Sequence, residues 1–235
     1  MKKLRVLLTL SLSFNLIFVA FIGFVIFKKG QLNLFTNQLS DIPTVQEYPD
    51  YYLLKKDVFE SSDTTNIDKV FVGDSISDYG DFPEYFSEEV VLNRGISNDN
   101  AKGVLNRIDE VVNRNPKEVY IMIGINDILH GTDIIVFEEN VKSIVQAFDQ
   151  SSSKVIVQSI LPVNNDIFKY ELPNDDVAKF NEVLKKIAQE NDTSYIDLHP
   201  YFIDENGELK KEYTFDGIHL NGNGYQVWID VLASR

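Results

Sequence analysis

Short runs of β-branched and apolar residues at 69–72, 90–92, 119–123, 155–160 and 195–198 alternate with segments whose apolar residues return every three or four positions. Runs this short, bounded by turn and polar residues, read as buried strands. The intervening sets Val104, Leu105, Ile108, Val111, Val112, then Phe137, Val141, Ile144, Val145, Phe148, then Val177, Phe180, Leu184, Ile187 each mark one face of a helix. Tyr51, Leu54 and Val58 predict a first helix, and a last one is expected from Gly224 through Trp228 to Leu232. Parallel neighbours need crossover connections, so the pattern predicts an α/β fold with a mostly parallel five-stranded sheet covered on both faces. A chain of 235 residues with 44% hydrophobic and 25% charged residues has the composition of a folded domain.

In open α/β sheets, ligands bind beyond the carboxyl ends of the strands. Polar clusters stand there: Gly73-Asp74-Ser75 after the first run, Asn93-Arg94-Gly95 after the second, Gly124-Ile125-Asn126-Asp127 after the third, and Gln158-Ser159 closing the fourth. Ser75 lies between a strand end and a helical turn, where a serine serves either as a helix cap or as a nucleophile beside backbone N–H donors. A serine hydroxyl needs a base, a carboxylate to orient the base, and donors for the oxyanion. The base comes from His130, His199 or His219, the only histidines. His219 is distinguished by its neighbourhood, a loop before a helix in which Asp216, three residues upstream, is able to fold back onto the imidazole; an Asp-x-x-His alone is a weak signal. His130 and His199 are expected to be loop residues with surface hydrogen bonds. Gly95 offers an unobstructed backbone N–H and Asn126 a side-chain amide as oxyanion donors alongside the Ser75 N–H; separately, each also suits a turn or a cap.

Gly73-Asp74-Ser75-Ile76, Asn93-Arg94-Gly95-Ile96-Ser97, Gly124-Ile125-Asn126-Asp127 and Asp216-Gly217-Ile218-His219-Leu220 together resemble, in order and spacing, the sequence blocks of SGNH (GDSL-like) hydrolases. Gln158-Ser159-Ile160-Leu161-Pro162 and Asn221-Gly222-Asn223-Gly224-Tyr225 extend the likeness over residues 50–235. It is closest to the branch that resembles platelet-activating-factor acetylhydrolase catalytic subunits and bacterial lysophospholipase-like esterases. The resemblance implies a three-layer α/β/α, flavodoxin-like fold, with Ser75 as nucleophile, His219 as base, Asp216 as its partner and Ser75, Gly95 and Asn126 around the oxyanion. Ile76 stands where leucine is common, and Asn98 where glycine often follows the serine of the second block.

The expected reaction is hydrolysis of small acyl esters, on O-acetylated glycans or lysophospholipid-type molecules, through an acyl-enzyme. An envelope O-acyltransferase would use the same triad, and a catalytically silent binding domain would keep only the fold. No metal or organic cofactor is implied: Asp74, Asp99 and Asp127 are single carboxylates that read as caps and loop acceptors. The segment 164–176, with Phe168, Tyr170 and Leu172, is either a lid or an ordinary connection whose rings pack on the domain. Tyr79, Phe82 and Tyr85 read as helix-packing residues rather than a sugar platform.

Residues 6–27 form an uncharged run of 22, long enough to cross a bilayer, with Lys2, Lys3 and Arg5 before it and Lys28 and Lys29 after it. Phe21, Phe24, Val25 and Phe27 occupy the place of a small-x-small cleavage site, so residues 1–30 read as a cytoplasmic start and transmembrane helix. Residues 31–48, with Pro43, read as a stalk, and 49–235 as the domain. The positive-inside tendency makes this a single-pass cell-membrane protein with an extracytoplasmic domain, secreted if the N-terminal segment is cleaved. Beyond residue 30 stand 17 basic and 36 acidic residues, a balance of −19 that argues against nucleic acid as a partner. The absence of cysteine removes disulfides, thiolate metal sites and cysteine nucleophiles.

Overall fold

Strands β1 (Lys69–Gly73), β2 (Val91–Gly95), β3 (Glu118–Met122), β4 (Lys154–Gln158) and β5 (Ser194–Ile196) form one sheet in the order β2-β1-β3-β4-β5. Every pairing is parallel, with Val70 of β1 opposite both Leu92 and Val119. The computed structural model describes residues 48–235, together with Phe21 and Phe24. The transmembrane segment and stalk expected over 1–30 and 31–48 lie outside the described residues, apart from Phe21, Phe24 and Tyr48. Among the described residues no helix is long and apolar enough to cross a membrane.

The first helix, α1 (Asp50–Ser61), forms where expected but presents the other side to the core. Tyr52 and Phe59 are buried, whereas Tyr51, Leu54 and Val58 are exposed. Specific polar contacts set this rotation. Tyr52 Oη donates to the Gly103 carbonyl at 2.8 Å, and the Arg114 guanidinium donates to the Phe59 and Ser62 carbonyls at 2.8 and 2.7 Å, satisfying acceptors at the helix end.

Between β1 and β2 run two short helices, α2 (Ser75–Asp78) and α3 (Phe82–Tyr85). The helix α4 (Ala101–Val112) returns the chain to β3, burying Val104, Ile108 and Val111. After α5 (Ile125–Leu129), the helices α6 (Ile134–Gln146) and α7 (Asn174–Glu190) cross to β4 and β5. Neighbours α4, α6 and α7 pack in a row over one face. The opposite face is aromatic. Phe71 stacks on Phe82 at 3.8 Å and lies beside Tyr120 at 4.9 Å, and Trp228 meets Phe82 edge-on at 5.2 Å. Trp228 belongs to α9 (Gly222–Ala233), which starts two residues earlier than expected because Asn221 caps it, accepting from the Asn223 and Gly224 N–H groups. A further short helix, α8 (His199–Phe202), follows β5.

Strand β2 extends past the apolar run to Gly95, so Asn93, Arg94 and Gly95 lie inside it rather than after it. Apolar periodicity misses this because Arg94 is buried as one half of an ion pair, its Nε 3.1 Å from Glu110 Oε2. Strand β4 stops at Gln158 and β5 at Ile196, earlier than expected.

Candidate active site

The chain leaves β1 at Gly73 and turns directly into α2, whose first residue is Ser75. Asp74 makes the turn possible by accepting the Ile76 N–H at 2.9 Å, the capping role expected of it. From the far end of the sequence, Tyr225 Oη donates to the Ile76 carbonyl at 2.8 Å, so α9 holds the serine helix in place. Ser75 itself is 7% exposed.

His219 Nε2 lies 2.9 Å from Ser75 Oγ, and His219 Nδ1 lies 2.6 Å from Asp216 Oδ2. The Asp216 carboxylate also accepts the backbone N–H groups of Ile218 and His219 at 3.1 and 2.9 Å. Burial pushes the Asp216 carboxyl up, but the His219 side chain and these two N–H groups outweigh it and hold the carboxyl below its ordinary range. Gly217, at φ 89°, permits this tight turn, and its carbonyl accepts the Asn164 N–H at 2.7 Å. The three expected side chains therefore make one continuous hydrogen-bonded relay, in which a proton leaving the hydroxyl finds an oriented imidazole.

Asn126 reaches the same cavity from the start of α5, with one amide hydrogen committed to the Asp99 carbonyl at 2.8 Å. Gly95 is placed differently from the expectation. Its N–H donates to Asn93 Oδ1 at 2.7 Å, and it is absent from the cavity lining. Glycine is required there for a steric reason: a Cβ would stand 2.1 Å from the Asp78 nitrogen where α2 crosses the strand end. Asn98, three residues on, lines the cavity at φ 65°, and among the described residues its N–H donates to no protein acceptor.

Beneath these groups the buried Arg107 ties the strand ends together. Its Nε binds Asp99 Oδ2 at 2.9 Å, Nη1 binds the Arg94 carbonyl at 2.8 Å and Nη2 the Gly73 carbonyl at 3.1 Å. Asp99 is thus an ion-pair partner and not merely a loop acceptor. Asp127 accepts the Ala101 N–H at 3.0 Å, in the capping role expected. Burial, reinforced by Asp99 and Asp127, pushes the Asp74 carboxyl up to about 7, and burial pushes Asp127 up to about 6.

The cavity over Ser75 has a volume of about 580 Å³, and its wall includes Tyr79, His130, Leu129, Phe168, Tyr170 and Glu171. The segment 164–176 thus supplies a wall, although Leu172 packs into the core. Tyr79 differs from the expectation of a packing residue: it is exposed, with its ring 4.9 Å from the His219 imidazole. Its position four residues after Ser75 is the signal that places both on one helical face. Phe82 is core, as expected, and Tyr85 packs against that core. His130 ends α5 and lines the cavity, while His199 Nε2 is buried without a hydrogen-bond partner, and burial pushes that imidazole down. His199 is therefore not the surface loop residue expected, whereas His130 stands exposed in the turn after α5, as expected.

A parallel α/β sheet carrying a serine, an imidazole and a carboxylate in one relay beyond its strand ends defines a hydrolase of the serine type. The chain belongs to the GDSL-like Lipase/Acylhydrolase family, whose sequence profile matches residues 71–227, and is an ester-acting enzyme of that family. It is 31% identical over 170 residues to the rat (Rattus norvegicus) platelet-activating factor acetylhydrolase IB subunit alpha2, covering 67% of this chain and 71% of that protein. A Streptococcus pneumoniae structure described as a platelet activating factor superposes with a TM-score of 0.71 at 25% identity, covering 88% of this chain and 98% of that one. The acetyl xylan esterase AlAXEase shares the fold, with a TM-score of 0.63 at 22% identity over 72% of this chain and 98% of that one.

Proposed function

We propose that this protein is a serine esterase that removes small acyl groups, acetyl foremost, from hydroxyls of a glycan. The observation that carries the reading is the continuous relay Ser75–His219–Asp216 opening onto a cavity. Ser75 Oγ attacks the ester carbonyl while His219 Nε2 takes its proton. The oxyanion is met by the Ser75 N–H, the second amide hydrogen of Asn126 and the Asn98 N–H, which takes the part expected of Gly95. His219 returns the proton to the departing sugar oxygen, and water then releases the acid from Ser75.

Two features favour a small acyl group on a sugar over a long-chain lipid. Two of the proteins named above carry an acetyl group in their names, the platelet-activating factor acetylhydrolase subunit and the acetyl xylan esterase. On the leaving-group side, a second hollow of about 570 Å³ runs past Phe168, Lys169, Tyr170 and Phe215 beside His219. Exposed rings beside the charged groups of Lys169 and Asp216 suit polyhydroxylated rings, which stack on one face and hydrogen-bond at the edge, better than an acyl chain, which needs an unbroken apolar groove. The uncharged run 6–27 and its flanking lysines and arginine support a site of action at the outer face of a membrane.

The full chain is expected to release p-nitrophenol from p-nitrophenyl acetate, and Ser75→Ala to lower that rate by about 10⁴-fold or more. Equal rates for the two proteins would remove Ser75 from the mechanism and leave a binding domain.

A further inference from the structure

Asp78 takes no part in the relay, yet its carboxylate is the most heavily engaged group near it. Its side chain is 3% exposed and accepts four hydrogen bonds. Two come from α1: Tyr51 Oη at 2.8 Å and Lys55 Nζ at 2.7 Å. Two come from one residue of the loop after β2: the Ser97 N–H at 3.0 Å and Ser97 Oγ at 2.7 Å. Burial pushes the Asp78 carboxyl up, but Lys55, Ser97 and Tyr51 together hold it below its ordinary range, so it is a carboxylate at neutral pH.

The loop that Asp78 grips is the one carrying Asn98. On the near side, Ser97 is fixed to Asp78 through both its N–H and its hydroxyl. On the far side, Asp99 is fixed by its ion pair with Arg107, and its N–H donates to the Ile96 carbonyl at 3.1 Å. Between these two anchors Asn98 sits at φ 65°, a left-handed conformation that a non-glycine residue keeps only when its surroundings impose it. The peptide linking Ser97 to Asn98 contains the N–H read above as an oxyanion donor. Asp78 also lies one helical turn beyond Ser75, so the carboxylate spans the nucleophile's own helix and this loop.

We propose that Asp78 is a positioning residue that fixes the Asn98 N–H relative to Ser75, and that α1 belongs to the catalytic unit because Tyr51 and Lys55 hold Asp78 in that pose. The inference rests on the esterase reading, and specifically on Asn98 as a donor. Tyr51 and Lys55 precede residue 71, where the match to the family begins, so the outer half of this clamp comes from a part of the chain that the family profile does not cover.

The test uses the full chain with p-nitrophenyl acetate, reading kcat, KM and Tm, and separately the rate at which a fluorophosphonate modifies Ser75. Asp78→Asn should lower kcat and the fluorophosphonate rate by about 10–100-fold while leaving KM within about threefold, since a misplaced donor weakens the transition state and not the ground state. Asp78→Glu should recover part of the loss. Lys55→Met and Ser97→Ala, which each remove one hydrogen bond and leave the carboxylate, should lower kcat by about 3–10-fold. A folded Asp78→Asn protein with a lowered Tm but unchanged kcat would overturn the proposal and leave Asp78 a structural residue. Should Asp78→Asn not fold, unchanged kcat in both Lys55→Met and Ser97→Ala would overturn it equally. A parent protein without Ser75-dependent turnover would overturn the esterase reading along with it, whereas an active parent matched by active variants overturns this inference alone.

Discussion

The cavity over Ser75 has two walls built on different terms. The inner wall is Ser75, the 96–99 loop and Asn126, standing on strand ends and tied together by Arg107, Asp99 and Asp78. The outer wall is the 167–171 segment beside the Asp216–His219 turn, continued into the second hollow by Phe215, carried by loops and open to solvent: Tyr170 is 71% exposed and Phe215 88%. A donor misplaced by a fraction of an ångström loses its worth to a transition state, so the donors sit where packing and buried hydrogen bonds leave no freedom. Recognition of a carrier molecule tolerates movement, and side chains on exposed loops can change without disturbing the core.

If that division holds, substitutions on the inner wall should damage kcat and those on the outer wall KM. Beyond the nucleophile itself, the largest effect is expected for Asn126→Ala, which should lower kcat on p-nitrophenyl acetate by about 10²–10³-fold with KM little changed. A negligible change would break the comparison at its strongest point. Smaller is the effect of Phe215→Ala combined with Tyr170→Ala. Initial rates on an acetylated xylo-oligosaccharide should show kcat/KM down about tenfold, mainly through KM, with p-nitrophenyl acetate turned over as before. Equal losses on both substrates would show that the outer wall serves the chemistry itself.

The smallest effect concerns the stability of the inner wall. Asp74 has an ordinary carboxyl value of 3.8, raised to about 7 in the folded protein. Between those values the folded protein holds a proton that the unfolded chain has released, so this group's contribution to stability falls as pH rises through the window and stays low above it. Asp74→Asn retains an acceptor for the Ile76 N–H without the charge. Its Tm should therefore gain on the parent by a few degrees between pH 4.5 and pH 8, and a Tm difference independent of pH would remove Asp74 as the cause.

Much of this was legible in the sequence because the evidence for it is local. Ser75, Asn126, Asp216 and His219 each sit at a strand end or in a tight turn that short motifs specify, and the sheet follows from apolar runs. What escaped depends on contacts between distant segments. The face of α1 is a case in point: Tyr51, Leu54 and Val58 have helical spacing, but Tyr52 turns inward because its hydroxyl meets Gly103, 51 residues away. Gly95 escaped for a related reason. A glycine in that motif is equally consistent with an exposed N–H and with a helix crossing overhead, and only the position of Asp78 decides between them. Asp78 carried one signal, its place one turn after Ser75, but none that named Tyr51, Lys55 or Ser97 as its partners.

Ser75 and His219 are 144 residues apart in sequence, and the helix that fastens α2 in place begins only at Gly222. During synthesis the proposed nucleophile therefore emerges long before its proposed base. Until residues 216–219 are made and α9 docks Tyr225 onto Ile76, the chain has a serine, donors and a sheet, but no fastened relay. Reactivity is thereby confined to the completed fold, and a chain cut short before residue 219 lacks the base altogether.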